Sequence, residues 1–417
     1  MAEGFTLPIQ VIESDGISAW LTEDHSVPVV SLAWSWQGGA GLEKAGEEGT
    51  TALMASLLTE GAGDLRAREF ADALRDDAIS LSFDSQRDGF EGGFRALRDA
   101  VPAALRLARL AMTAPRFDAD ALQRVRARAV AGARQVMETP GGQARRAFWA
   151  TAFPDHPAGR PTGGTAESLA AIPEAAIRAA HARQIRRDGL LVAVAGAINP
   201  AELRALLTTL FAALPPGAPE APPALPPFID FGSRVVPMPF PQSTILFGQP
   251  GLAVQDPDWE AAQVMLRVLG GGGFSSRLMQ AVRVQRGLTY GISAGLDVLY
   301  GQALITGGLA TQNAKVAEAL TVTTAEWRRM AEDGPTEAER ADAIAYLRGS
   351  LPLQFTDSRR IAGTLLSLRR NNRPLDWLAA RPARLAAISR DRLAAVASRL
   401  LKPDGLSVAI AGQPAGL

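Results

Sequence analysis

Large apolar residues occupy alternate positions at Val30, Leu32, Trp34 and Trp36, with Ser31, Ala33 and Ser35 between them. That period of two predicts a strand with its large side chains on one face. The alternation returns near the C-terminus, where Leu406, Val408 and Ile410 are separated by Ser407 and Ala409. Just before it, Leu393, Val396 and Leu400 are spaced for one face of a helix, and Asp404-Gly405 supplies a turn between the two elements. Helical spacing also covers residues 65–78 and 118–137. Strands mixed with long helices, without strict alternation, predict an α+β fold of sandwich type over a doubly wound sheet.

The pattern is written twice. Residues 169–196 read LAAIPEAAIRAAHARQIRRDGLLVAVAG, and residues 385–412 read LAAISRDRLAAVASRLLKPDGLSVAIAG. They align without a gap at an offset of 216 (385 − 169), with 13 of 28 positions identical. An offset of about half the chain implies a duplicated domain, not a short solenoid repeat. Between the copies, residues 214–227 hold seven prolines, which exclude regular helix and make a stiff, extended linker. A proline-rich binding motif is the alternative, but the position between two repeats favours the linker. The expected organisation is therefore a domain at 1–213, a linker at 214–228 and a homologous domain at 229–417.

Composition narrows the function. The 417 residues carry 43 basic and 43 acidic side chains, so no overall field draws the chain to nucleic acid or anionic lipid. There is no cysteine, which removes disulfides, thiolate metal sites and cysteine nucleophiles together. No apolar run approaches the length of a membrane span. Three histidines, His25, His156 and His181, lie far apart with no second histidine three to five residues away. Asp155-His156 lacks the G-x-S-x-G elbow that would point to a hydrolytic triad.

The most suggestive stretch runs from Leu269 to Tyr290. Gly270, Gly271, Gly272 and Gly273 lead into Ser275, a residue suited to cap a helix start. Leu278 and Val282 share a helical face, Gly287 suits the helix end, and Thr289 onward reads as strand. No Gly-Lys-Ser/Thr follows the glycines, so they do not form a P-loop. Arg283 near the helix end can serve its last carbonyls, and Arg286 is three residues away.

Two homologous halves joined by a linker resemble the pitrilysin/insulinase/mitochondrial-processing-peptidase family of zinc metallopeptidases. Glu23-Asp24-His25-Ser26-Val27-Pro28-Val29-Val30, His156-Pro157-Ala158-Gly159-Arg160-Pro161 before Gly164-Thr165, and the repeated closing unit carry the likeness. The resemblance implies two α/β-sandwich domains, each a mixed, mostly antiparallel sheet with helices packed on it. Catalytic members carry H-x-x-E-H on a helix of the first domain, two histidines for zinc and a glutamate as base. Here the matching segment is Gly49 to Ala62, with Ala52 and Ser56 at the histidine positions and Ala55 at that of the base. Residues 121–137, where a further glutamate ligand is expected, contain no acid. Alanine offers no donor atom and serine a poor one, so no metal is expected in this chain.

The family also carries an arginine and a tyrosine seven positions apart in the second half, and Arg283 and Tyr290 match that pair. The resemblance then implies a non-catalytic subunit. Its partner would be a homologous zinc-bearing chain with intact H-x-x-E-H, and Arg283 and Tyr290 would assist hydrolysis of unfolded peptides in trans. Gly270–Gly273 would contact substrate or simply form the turn before Ser275. A structural or peptide-binding subunit without proteolysis is the competing class. The N-terminus lacks signal-peptide character but starts abruptly in domain-like sequence. A periplasmic location after signal removal is expected, with the cytoplasm as the alternative.

Overall fold

The computed structural model describes residues 7–417. In chain order the strands are β1 (Gln10–Ser14), β2 (Ile17–Glu23), β3 (Val29–Gln37), β4 (Gly61–Ala62), β5 (Leu65–Arg66), β6 (Ser80–Ser85), β7 (Gly89–Leu97), β8 (Leu191–Gly196), β9 (Ser233–Pro237), β10 (Gln242–Ala253), β11 (Ile292–Leu299), β12 (Gln302–Gln312) and β13 (Ser407–Gly412). They form a six-stranded sheet ordered β1-β2-β8-β3-β7-β6, a five-stranded sheet ordered β11-β12-β10-β13-β9, and the small hairpin β4-β5. Both large sheets are mixed. One pairing in each is parallel, β2 with β8 and β9 with β13, and the others are antiparallel.

The strand predicted from alternation is β3. Its Val30, Leu32, Trp34 and Trp36 all enter one apolar core with residues of the helices Thr50–Leu57, Val101–Thr113 and Pro200–Phe211. Trp34 meets Phe83, Phe94 and Phe211 edge-on, at centroid distances of 5.8, 6.5 and 5.8 Å. These are favourable geometries for aromatic packing. The repeat is preserved residue for residue in the folded elements. Helix Glu174–Gln184 and β8 match helix Arg390–Leu400 and β13 at the same offset of 216 (390 − 174 and 407 − 191).

The compact units differ from the two halves of the sequence. One unit gathers the chain up to Arg134 with Arg160–Pro223 and Pro352–Ala379. The other comprises Gln135–Gly159, Ala224–Leu351 and Ala380–Leu417. The boundary expected at residues 214–228 falls near a change of unit, but a segment from each half is also exchanged. The physical reason lies on the second face of each sheet. In β8, Val192 and Val194 point into the main core, while Ala193 and Ala195 are buried on the opposite face. That face is covered by Ile361, Ala362, Leu365 and Leu366 of the helix Ser358–Arg370. Arg369 on the same helix donates from Nη1 to the carbonyls of Ser18 and Val192, both at 2.6 Å. In the other unit, Phe148, Trp149 and Ala152 of the helix Pro140–Ala152 and the adjoining Phe153 cover Leu304 and Ala409. Each sheet is thus buried on both sides, so the small residues between the large ones are core residues too.

Two expected elements are displaced by local pairing. Leu65–Arg66 joins the β4-β5 hairpin, so the helix expected from residue 65 spans Ala67–Asp76. The strand expected from Thr289 begins at Ile292, after Thr289 Oγ1 has donated to the Ala310 carbonyl at 2.7 Å. Leu365 is fully buried beneath a sheet face. Leu365→Ala should therefore lower the unfolding free energy of its unit by about 3 kcal/mol, measured by urea denaturation.

Candidate functional site

The helix Thr50–Leu57 carries Ala52, Ala55 and Ser56, the positions expected to match the zinc motif, and its start is held by a buried acid. Glu43 lies under its N-terminus and accepts from the backbone N–H groups of Gly49 at 2.9 Å and Thr51 at 2.7 Å. Its carboxyl oxygens satisfy two orphan donors at the positive end of the helix dipole. The functional face is inert by comparison. Ala55 is buried, Ala52 is half-buried, and Ser56 is exposed but donates its hydroxyl to the Ala52 carbonyl at 3.0 Å. Beyond the helix, Glu60 is paired with Arg124 at 2.5 Å and approached by Arg128 at 3.9 Å. Both arginines come from the helix Ala119–Met137, the segment lacking the expected acidic ligand.

This donor set does not fit zinc. Two alanines, a serine bonded within its own helix and two guanidinium groups offer no imidazole or carboxylate pair. Among the described residues no group of three histidine, aspartate or glutamate side chains converges anywhere. His25 pairs with Glu23 at 2.8 Å, and His156 Nδ1 accepts from the Ala158 N–H at 3.1 Å. His181 is bonded to the Met112 carbonyl at 2.8 Å and packs edge-on against Phe117. Burial holds the His181 pKa below its ordinary value.

In the other unit the structure brings Arg283 and Tyr290 together. Arg283 lies in a π-helical segment, Met279–Val284, with Leu278 and Val282 fully buried on its inner face. Such wide turns are frequent at functional positions. The helix ends at Gly287, whose φ of 60° suits glycine. Gly287 N–H donates to the Arg283 carbonyl at 2.8 Å, and Leu288 N–H to the Val282 carbonyl at 2.9 Å. This Schellman-type reversal turns the chain back, so Tyr290 returns beside Arg283. The guanidinium carbon lies 6.0 Å from the Tyr290 ring centre. Tyr290 is 88% exposed, and the Arg283 guanidinium forms no ion pair or hydrogen bond with the described residues. Arg286 instead serves its own helix, donating to the Ala281 carbonyl at 2.8 Å.

The glycines build the turn in front of this pair. A side chain at Gly270 would come within 2.6 Å of the Ala294 nitrogen in β11, so close packing requires glycine there. Gly271 and Gly273 are exposed and Gly272 half-buried. The cap falls one residue later than expected. Ser276 Oγ, not that of Ser275, faces the Met279 N–H at 3.4 Å, while Ser275 Oγ donates to the Gly272 carbonyl at 2.9 Å. One residue of the cluster was missed by sequence reasoning. Phe274 projects from the glycine turn, 60% exposed, with its ring centre 4.5 Å from the Arg283 guanidinium. The available signal was a lone large apolar residue within a run of glycine and serine.

Residues 171–347 match the peptidase M16 inactive domain. The non-peptidase homolog YmxG of Helicobacter pylori is 26% identical over 334 residues, 80% of this chain and 77% of that protein. An uncharacterized zinc protease of Mycobacterium leprae is 33% identical over 223 residues. That match spans 51% of this chain and about half (48%) of the mycobacterial protein. Among solved structures, a peptidase M16 inactive domain from Pseudomonas fluorescens superposes with a TM-score of 0.92 at 24% identity. It covers 98% of this chain and 99% of its own. Over residues 171–347 the chain is thus similar to the M16 inactive domain, and over nearly its whole length it shares that fold.

Glu43 provides a test of the remnant helix. Burial pushes its carboxyl up to about 7, against the two backbone donors that favour the charged form. A carboxyl with its folded pKa above the ordinary 4.5 gives its full contribution to stability below 4.5 and loses it as pH rises through 7. Relative to Glu43→Gln, the wild-type protein should lose about 3 kcal/mol between these limits. Denaturant titrations of both proteins across that pH range measure the difference.

Proposed function

We propose that this chain is the non-catalytic subunit of a heterodimeric zinc metalloendopeptidase. It completes the site of a homologous zinc-bearing partner and helps to bind unfolded peptides. The observation that carries the reading is the contrast between the two units. The first has no histidine or acid at the positions matched to zinc ligands and base, Ala52, Ala55 and Ser56, while the second holds a half-buried Arg283, without an ion pair or hydrogen bond to the described residues, beside an exposed Tyr290. A purely structural subunit has no evident need for a guanidinium without a charged partner beside an exposed phenol.

In this reading, Arg283 and Tyr290 act on the carbonyl of the scissile peptide bond. As water adds to that carbonyl, negative charge grows on its oxygen. Donors already aimed at the oxygen stabilise that charge more than they stabilise the bound substrate. The guanidinium contributes permanent charge and a fixed fork of N–H groups, and the phenol contributes one O–H. The partner supplies zinc and the base that activates water. Extended peptides are the fitting substrate class, because a folded protein cannot present one carbonyl to donors of two chains at once.

Cleavage of a fluorescent peptide by the mixture of the two chains tests the proposal. This chain alone should be inactive. Arg283→Ala should lower kcat of the mixture about a hundredfold, the usual cost of losing one oxyanion donor, while co-elution of the two chains is unchanged. Tyr290→Phe should lower kcat by at least about tenfold on the same ground. Unchanged kcat in both variants would leave the structural-subunit reading standing.

A further inference from the structure

We infer that Phe274, Arg283 and Tyr290 form a receptor for an aromatic side chain of an extended peptide, with Arg283 donating to that residue's own carbonyl oxygen. The inference rests on the reading of Arg283 as substrate-facing, and it adds a side-chain preference.

The turn that carries Phe274 is held at both ends. Arg277 is buried and donates to the two carboxylate oxygens of Glu339, both at 2.7 Å, and to the Gly334 carbonyl at 3.0 Å. Burial acts to raise the Glu339 pKa, but the Arg277 guanidinium outweighs it and holds the carboxyl at about 2. On the other side of the glycines, the Arg267 guanidinium stacks 3.2 Å from the ring centre of Tyr346. Glu339 and Tyr346 lie near opposite ends of one helix, Glu337–Gly349, which therefore straps the turn before and after Phe274. Within the turn, Gln280 Nε2 donates to the Phe274 carbonyl at 2.6 Å. The phenyl ring is exposed, yet its backbone is fixed. Part of the ordering entropy that binding would otherwise cost is already spent.

The cluster's chemistry specifies what fits. Two aromatic rings that remain in water retain apolar surface to bury, worth roughly 25 cal/mol per Å². Phe274 lies against the guanidinium of Arg283, a contact that leaves the in-plane N–H groups free to donate. A ligand must therefore present one planar apolar group and one acceptor oxygen a few bonds away. An aromatic residue in an extended peptide has both, its ring and its carbonyl. A lysine or arginine side chain at the same position would face the permanent charge of Arg283.

Fluorescence anisotropy with the full chain alone tests this, using unstructured, C-terminally amidated decapeptides with a single central phenylalanine or alanine. The phenylalanine peptide should bind about tenfold more tightly, a difference of about 1.4 kcal/mol. Phe274→Ala should bring it to the alanine peptide's affinity, and Phe274→Trp should restore the preference. The exposed position makes misfolding of these variants simple to detect by thermal denaturation. Equal affinity for the two peptides would overturn the inference, as would a preference undiminished by Phe274→Ala. A preference seen only when phenylalanine is the last residue with a free carboxylate would also overturn it, showing chain-end recognition. This assay needs no partner. Loss of the preference with kcat of the mixture still dependent on Arg283 removes this inference alone. A preference retained with kcat indifferent to Arg283 removes the trans-completion reading alone.

Discussion

Each sheet has two faces that must leave water, and that constraint shapes the rest of the molecule. A sheet covered on one side leaves apolar backbone and small side chains exposed on the other, and β8 shows the solution. Val192 and Val194 pack inward, while Ala193 and Ala195 are sealed by Leu365 and Leu366 from the distant helix Ser358–Arg370. Phe148 and Trp149 do the same for the sheet containing β13. Neither half of the sequence therefore holds all the surface its own sheet needs. Small residues on the second face allow a helix to lie close to the strands, and a large residue there would push it away.

The two units share the repeated helix and strand but differ elsewhere in strand number and helical turns. The helix Thr50–Leu57 is fixed by its left-handed Gly49 and the buried Glu43 beneath its N-terminus, with no metal ligand on it. Arg124 and Arg128 stand beside Glu60 where a metal-binding segment would need an acid. In the other unit the reversal at Gly287 is the decisive local device. It depends on a positive φ and two backbone hydrogen bonds, and it sets Tyr290 beside Arg283.

Much of this was legible in the sequence for identifiable reasons. The period of two at Val30–Trp36 and the repeat at residues 169–196 and 385–412 reflect burial, which leaves periodic traces. Arg283 and Tyr290 were singled out by their resemblance to the family's arginine-tyrosine pair, and Gly287 marked the helix end between them. The exchanged helices were not legible, because Ala193, Ala195 and Ala409 are too small to read as core in an alternating strand. Their burial depends on segments about 165 to 260 residues away in sequence. Phe274 escaped for a different reason. Its value lies in an exposed contact with a guanidinium, and no periodicity marks an exposed contact. The cap falls at Ser276 and not Ser275, whose hydroxyl is bonded back to the Gly272 carbonyl within the glycine turn.

The central claim is that this chain is one half of a catalytic unit. Titrating it into a fixed amount of its zinc-bearing homologue, with peptide cleavage as the readout, tests that claim most directly. The account predicts little cleavage by the homologue alone and a rise that saturates at one equivalent of this chain. Full activity of the homologue alone, unaltered by any amount of added chain, would contradict it.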